Sequence, residues 1–495
     1  MEKQIKISSK LQKAREYEAC ALKKGTASPK QEFHVCVPVG WMNDPNGFSE
    51  YNGEKHLFFQ YNPYNTAWGP MHWGHVKTED FIQWENLPAA LAPDKKYDGV
   101  GCFSGSAIEW KGRHVLAYTG VQRRKEENGQ CRDYQMQCIA VGDGTNYEKL
   151  KENPVITSEQ IPDGDSKLDF RDPKIWADGD TIYMVAGNRS KDESGQILLY
   201  KTTDLKNWEF VSVLDKCNNR YGKMWECPDF FQLEGKDIMI VSPQEMEARE
   251  GEYHAGDGTI YILGRFEKKN AYFTEKVVRP LDMGLDFYAP QTMVTSDGRR
   301  IMIAWMQAWC ASWFDERDGF CGMMTLPREL HMRNGILCQS PVKELESYYQ
   351  NKAELKEIVP GETFQKYEKL RGRVQNLDIT LEGKDDYQFE MRLAADEKYY
   401  TTIRVDRKEQ TLVFDRSNAG FRRDAAHMRC MKVLSDNPVM NLRVVMDRYS
   451  VELFVNGGEQ TMTSILRTPM ESNGVYMKSQ GNVKVSVIKH DICLP

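Results

Sequence analysis

Three copies of one short pattern, evenly spaced, constrain this chain more than any other feature. Asp80-Phe-Ile-Gln-Trp84, Asp143-Gly-Thr-Asn-Tyr147 and Asp204-Leu-Lys-Asn-Trp208 all read Asp-x-x-x-aromatic, and their aspartates stand 63 and then 61 residues apart. Around them run short stretches such as HLFFQYN, HVLAYTG, TIYMVAG, QILLYKT, DIMIVSP and RIMIAWM, separated by Gly, Asp and Asn. Apolar or alternating runs bounded by turn residues read as strands. A fixed period with room for four short strands describes the blade of a propeller, longer here than the ~40–50 residues of common propeller repeats. Five units of about 62 residues fill roughly residues 35–340. Asp-x-x-x-aromatic is also ordinary hairpin chemistry, so the case for a propeller rests on the spacing.

The flanks read differently. SKLQKAREYEACALKK, residues 9–24, has helical composition and a serine to cap it, within an N-terminal segment 1–33. At Pro341 the strand pattern breaks, and PVKELESYY reads as a linker helix within 341–352. Beyond it TLVFDRS, LRVVMDR, SVELFVN and VKVSVIKH alternate apolar with polar residues, and Gly457-Gly458 supplies a hairpin turn. The expected fold is all-β: a five-bladed β-propeller over 34–340, then a β-sandwich over 353–495.

Composition narrows the function classes. Hydrophobic residues are 40% and charged residues 28%, as in ordered globular proteins. Net charge is −6, and Arg123-Arg-Lys125, Arg299-Arg300 and Arg422-Arg423 are too short and isolated to track nucleic acid. No apolar run is long enough to span a membrane, and the charged N-terminus lacks the apolar core of a secretory signal. The 12 cysteines are scattered, with no CxxC pair, and read as reduced thiols. These features lead us to expect a cytoplasmic protein.

Three acids stand in unusual contexts: Asp44 in WMNDPNG, Asp172 in FRDP and Glu226 in MWECP. Each has a proline one or two residues later, and proline pushes its predecessor toward an extended conformation at the exposed end of a strand. With Ser104 in CFSGS and Tyr288 in FYAP, five loci fall at positions 44, 104, 172, 226 and 288, about one per blade, so all converge on the propeller axis. Acids gathered in a pocket repel one another, which raises the pKa of at least one and equips it to donate a proton. Paired carboxylates are what a glycosidase needs. A single Asp-Pro is more often a turn residue; three at blade period are not.

WMNDPNG, FRDP at 170–173 and WECPD at 225–229 resemble the signature motifs of the invertases, fructanases and sucrose-6-phosphate hydrolases, glycoside hydrolase family thirty-two. The likeness extends through QYNP (60–63), WGPMHWGH (68–75), FSGS (103–106), YAPQ (288–291), TLPREL (325–330) and DRYSVELFVN (447–456), nearly the whole chain in the family's order. The resemblance implies a propeller followed by a sandwich, and hydrolysis with retention of β-linked fructosyl groups from sucrose-like sugars. By it Asp44 is the nucleophile, Glu226 the acid and then the base, and Asp172 the residue that holds the fructose hydroxyls and stabilises the transition state. Asn43 and Gln60 are expected to bond the fructose or orient Asp44. Trp41, Trp68 and Phe103 are expected to wall the pocket, Ser104 to donate to a sugar hydroxyl, and Tyr288 and Trp305 to close the far wall. Arg171 is expected to keep Asp172 ionised.

Cys227 has no histidine placed as its base and reads as a neighbour of the acid. His72-x-x-His75 resembles a metal pair, but on a strand the two do not share a face, so neither metal nor cofactor is expected. The Trp-rich stretch 305–314 and Gly319-Phe320-Cys321-Gly322, where many relatives have Gly-Trp, are candidates for shaping the leaving-group side. Sucrose, sucrose 6-phosphate and short fructans such as inulobiose all remain open as substrates, as does transfer to a second sugar. A non-catalytic carbohydrate-binding protein is disfavoured by the presence of all three acids. The sandwich is a candidate homodimer surface.

Overall fold

The alternating runs become antiparallel sheets stacked around an axis. The computed structural model describes every residue except 1–4, 26, 27, 250, 268, 269, 310–317, 421–425 and 436. Among the described residues, five sheets form the blades of a propeller, each with four strands following one another outward along the chain. The innermost strands are Gly40–Tyr51, Gly101–Trp110, Phe170–Asp178, Met224–Leu233 and Tyr288–Val294, in blades I to V. Phe320–Cys321 adds a parallel strand beside Gly40–Trp41 and closes the ring. Two glycines make that closure possible. Gly40 (φ 79°) and Gly322 (φ 114°) would each place a Cβ 2.2 Å from a backbone oxygen, of Asn62 and Met42 respectively. Gly319–Gly322 is therefore part of the ring closure.

The Asp-x-x-x-aromatic repeat is the turn between the third and fourth strands of blades I, II and III. Asp80, Asp143 and Asp204 each accept two backbone N–H bonds through Oδ1, from the residues two and three positions on, at 2.8–3.0 Å. The residue after each aspartate is left-handed: Phe81 (φ 65°), Gly144 (φ 95°) and Leu205 (φ 68°). The Trp84 and Trp208 indoles fold back to donate to the Phe81 and Leu205 carbonyls. Hairpin chemistry and blade period are the same feature.

Side chains also stitch the innermost strands across the axis. Asn46 Oδ1 accepts from Gly105 N, Ser106 accepts from Ile175 N and donates to Pro173 O, and Lys174 reaches Asp229 at 3.0 Å. Asp229 accepts from Thr292 N at 2.6 Å, and Gln291 donates to Gly105 O at 2.6 Å. Where these strands end, away from the acids, the axis widens into a cavity of about 820 Å³ lined by Lys174, Trp176, Phe230 and Arg300 among others. It is larger than the site described below but holds none of the three acids.

A helix, Ser9–Lys24, precedes the propeller, capped by Ser8 and joined to blade I by Arg15 and Glu18 on the Ala89 backbone. No described helix is long and apolar enough to cross a membrane. The short helix expected after Pro341 is present but ends early. Lys343–Tyr348 forms a 3-10 helix, and Tyr349–Ile358 is already the edge strand of a sandwich sheet. Tyr348 and Tyr349 favour extended backbone, and the short helix's single buried residue, Leu345, gives an α-helix no apolar face. Two six-stranded sheets then enclose Leu377, Ile379, Phe389, Met391, Val444 and Leu453.

Propeller and sandwich meet over buried ions. His34 places Nδ1 2.8 Å from Asp447 and Nε2 2.8 Å from Glu452. Glu452 also accepts from Arg328, which reaches Asp282 at 3.1 Å, and all five side chains have no solvent exposure. An imidazole with a carboxylate on each nitrogen must donate from both, so it is protonated. Burial pulls its pKa down, but the two carboxylates outweigh burial and hold it near 9. A histidine raised above its ordinary 6.5 stabilises the fold fully below that value and ceases to as pH rises through about 9. Replacing His34 by Ala strands two buried carboxylates and is expected to cost about 3–5 kcal/mol near neutrality. Thermal unfolding of wild type and His34→Ala across this range checks it: the gap between their midpoints narrows as pH rises through 9.

Candidate active site

In every blade the ladder breaks near the N-terminal end of the innermost strand. Its register skips between Met42 and Pro45, Phe103 and Gly105, Arg171 and Lys174, Glu226 and Asp229, and Tyr288 and Gln291. The five loci picked out in the sequence are thus five β-bulges, and a bulge re-aims side chains out of the pleat. The residues before three prolines are left-handed rather than extended: Asp172 (φ 65°), Cys227 (φ 47°) and Ala289 (φ 52°). A bulge needs a residue off the pleat, and proline can follow it because it leaves no ladder donor unpaired.

The bulges bring Asp44, Asp172 and Glu226 to one cavity of about 360 Å³, which Asn43, Gln60, Trp68, Phe103, Ser104 and Arg171 also line. Asp44 Oδ2 accepts from Ser104 Oγ at 2.6 Å and Oδ1 from Asn43 at 3.0 Å, while Asn43 is fixed by the Trp41 indole at 2.8 Å. Asp172 Oδ2 accepts the Cys227 backbone N–H at 3.0 Å. Glu226 is held from both sides, by Arg171 Nε at 2.7 Å and by the Tyr288 hydroxyl at 2.7 Å. Gln60 donates to Cys102 O, beside Phe103. Trp68 is 47% exposed and meets Phe103 edge-on at 5.8 Å, forming an aromatic lip.

Several side chains sit elsewhere than expected. Tyr288 and Trp305 are fully buried and absent from the cavity wall. Tyr288 lies behind Glu226 as its donor, because the fifth-blade bulge turns it toward Ser242 and blade IV. Trp305 packs against Trp41 at 6.1 Å and Trp309 at 5.1 Å, and it is Trp309 that lines the cavity. Trp41 is likewise set back behind Asn43. Residues 310–314 of the Trp-rich stretch lie outside the described residues. Arg171 bonds Glu226 rather than Asp172, since its flexible stem reaches across to blade IV. Its charge still favours ionised Asp172, but burial and then Glu226 outweigh it and push that carboxyl up to about 7. Asp44 is pushed up too, by burial and then Glu226, against the bonds from Ser104 and Asn43.

Four wall residues escaped the sequence reading: Gln135, Asp169, Gln244 and Trp309. Asp169 and Gln135 both contact Arg171, and Gln244 accepts from its Nη2. Asp169 lies three residues before Asp172, and Trp309 sits in the flagged Trp-rich stretch. Gln135 comes from the third strand of blade II and Gln244 from the second strand of blade IV, and neither carries a local signal. His72 bonds Pro70 O, whereas His75 stacks on Phe58 at 4.0 Å and bonds His56, so the pair do not converge.

Comparison with known proteins places the chain. Residues 34–341 match the family model of the glycosyl hydrolases family 32 N-terminal domain, and residues 344–492 match the family 32 C-terminal model. The chain is 37% identical over 465 residues to a sucrose-6-phosphate hydrolase of Escherichia coli, covering 92% of this chain and 93% of that protein. It is 36% identical to an E. coli raffinose invertase, covering 87% and 88%. A Bombyx mori family 32 β-fructofuranosidase variant, solved in complex with sucrose, superposes with a TM-score of 0.85 at 32% identity, covering 98% and 99%.

Cys227 bears on what the site can do. Its Sγ lies 3.6 Å from both Asp44 and Asp172, and burial followed by those two carboxylates holds the thiol well above its ordinary pKa. A protonated, buried thiol is a poor nucleophile. Iodoacetamide at about pH 8 is therefore expected to label the exposed Cys20, Cys131 and Cys430 of the native protein and spare Cys227, as read by peptide mass mapping.

Proposed function

The chain belongs to glycosyl hydrolase family 32, and from that premise we propose that it is a retaining β-fructofuranosidase that hydrolyses the terminal β-fructosyl bond of sucrose or sucrose 6-phosphate. The observation that carries the assignment is the meeting of Asp44, Asp172 and Glu226, from blades I, III and IV, in one cavity of about 360 Å³. That volume is at the low end for small-ligand pockets and suits a terminal sugar unit better than the interior of a polymer.

Each acid has surroundings that fit a separate task. Asp44, aimed by Ser104 and Asn43, attacks the anomeric carbon as the glycosidic bond breaks, giving a covalent fructosyl-enzyme. Glu226, oriented by Arg171 and Tyr288, gives its proton to the departing sugar oxygen. It then takes a proton from the water that releases fructose. Two displacements at one carbon retain its configuration. Asp172 bonds the fructose hydroxyls and favours the positive charge that develops on the ring. Trp68 and Phe103 offer faces to the sugar's C–H surface. The chemistry calls for no cofactor, and we place the enzyme in the cytoplasm, acting on an imported sugar.

Purified protein assayed on sucrose, sucrose 6-phosphate, inulobiose and inulin side by side is expected to release fructose from the first two fastest. Asp44→Asn and Glu226→Gln are each expected to lower kcat by about 10³-fold or more while circular dichroism stays unchanged. Full turnover by either variant would overturn the assignment.

A further inference from the structure

The strand carrying Phe170, Arg171 and Asp172 is the innermost of its sheet, so it has a ladder on one side only. Backbone groups on its other edge need partners, and an unpaired buried one costs about 1–3 kcal/mol. Blade II supplies them through side chains. Gln135 Oε1 accepts Phe170 N at 2.8 Å, and Gln137 Nε2 donates to Phe170 O at 2.9 Å. Thr119 Oγ1 accepts Asp172 N at 2.9 Å and donates its own proton to Gln137 Oε1, also at 2.9 Å. The sequence offered no sign of this, because Thr119 and Gln137 lie in the middle of ordinary strands of another blade.

We propose that Thr119 and Gln137 are positioning residues for the reaction: a relay from blade II that holds the Asp172 peptide in its left-handed conformation, and so sets where the Asp172 carboxyl meets the sugar. Both are fully buried and neither reaches the cavity wall, so they act through Asp172 and Phe170. Gln135 differs, since it lines the cavity and bonds Arg171 as well. The geometry makes the Thr119 hydroxyl irreplaceable by shape alone. It is acceptor for one neighbour and donor to the next, and a methyl group of the same size is neither. The relay rests on the role proposed above for Asp172.

The test compares Thr119→Val, which keeps the shape and loses the hydroxyl, with Thr119→Ser, which keeps the hydroxyl. For wild type, both variants and Asp172→Asn, kcat and KM for sucrose are measured together with the thermal midpoint. Thr119→Val is expected to lower kcat about a hundredfold with KM little changed, because a misplaced group fails chiefly at the transition state. Thr119→Ser should stay within about threefold of wild type. Gln137→Met, which removes the donor to Phe170 O and the acceptor for Thr119, should reproduce the valine result and serves if Thr119→Val does not fold. A folded Thr119→Val within about threefold of wild type, or equal losses in Val and Ser, would overturn the relay. An Asp172→Asn enzyme as active as wild type would instead overturn the role of Asp172, a distinct failure.

Discussion

Five strands that converge on one axis cannot all continue their ladders to the point of convergence, and much of this structure follows from that constraint. Among the described residues, four of the innermost strands are paired on one side only, and the first gains just the two-residue parallel strand Phe320–Cys321 on its other side. Near its N-terminal end each one bulges, freeing backbone groups and turning side chains toward the axis. The freed groups are satisfied from other blades: Asn46 on Gly105, Thr119 on Asp172, Ser242 on Ala289. The bonds that close the ring also aim the acids. The ring closes where Phe320–Cys321 seats beside Gly40–Trp41, at the start of the strand that carries Asp44.

Gathering three carboxylates in a buried pocket is costly, and the structure shows how the cost is distributed. Among the described residues one cation, Arg171, enters the group, and it bonds Glu226. Asp44 receives neutral donors, Ser104 and Asn43, while Asp172 receives a peptide N–H. Burial and then the nearby Glu226 outweigh that N–H and push Asp172 up to about 7. Protonation relieves part of the repulsion among the acids, and hydroxyl donors from a sugar offer another form of relief. The thiol of Cys227, kept protonated between Asp44 and Asp172, separates the two without adding charge.

A second buried polar assembly does structural work at the domain joint. The family-like stretches TLPREL and DRYSVELFVN, which tie the whole chain to the resemblance, contribute Arg328, Asp447 and Glu452 to the network around His34. They line no part of the catalytic cavity. Buried ion pairs are often no more stabilising than apolar packing, but removing one partner leaves an uncompensated buried charge. Here the network fixes one face of the sandwich against the end of blade V.

The sequence by itself determined the fold class, because strand alternation, turn residues and a 61–63-residue period are local signals that survive without coordinates. It also marked out Asp44, Asp172 and Glu226, since a bulge next to proline leaves a recognisable stretch of sequence. What it could not convey was direction. Arg171 adjoins Asp172 in the chain, yet its guanidinium bonds Glu226, 55 residues away. Tyr288 and Trp305 had the composition of a pocket wall and became its backing, whereas Gln135, Gln244 and Thr119 had no motif and stand in or behind the wall. The linker helix was legible but its end was not: Lys343–Tyr348 is helical, whereas the chain from Tyr349 onward pairs with the sandwich edge. Local pattern decides which residues leave the pleat. Only the closed ring decides what each of them then meets, because those partners lie on other blades, often some 50 to 240 residues distant.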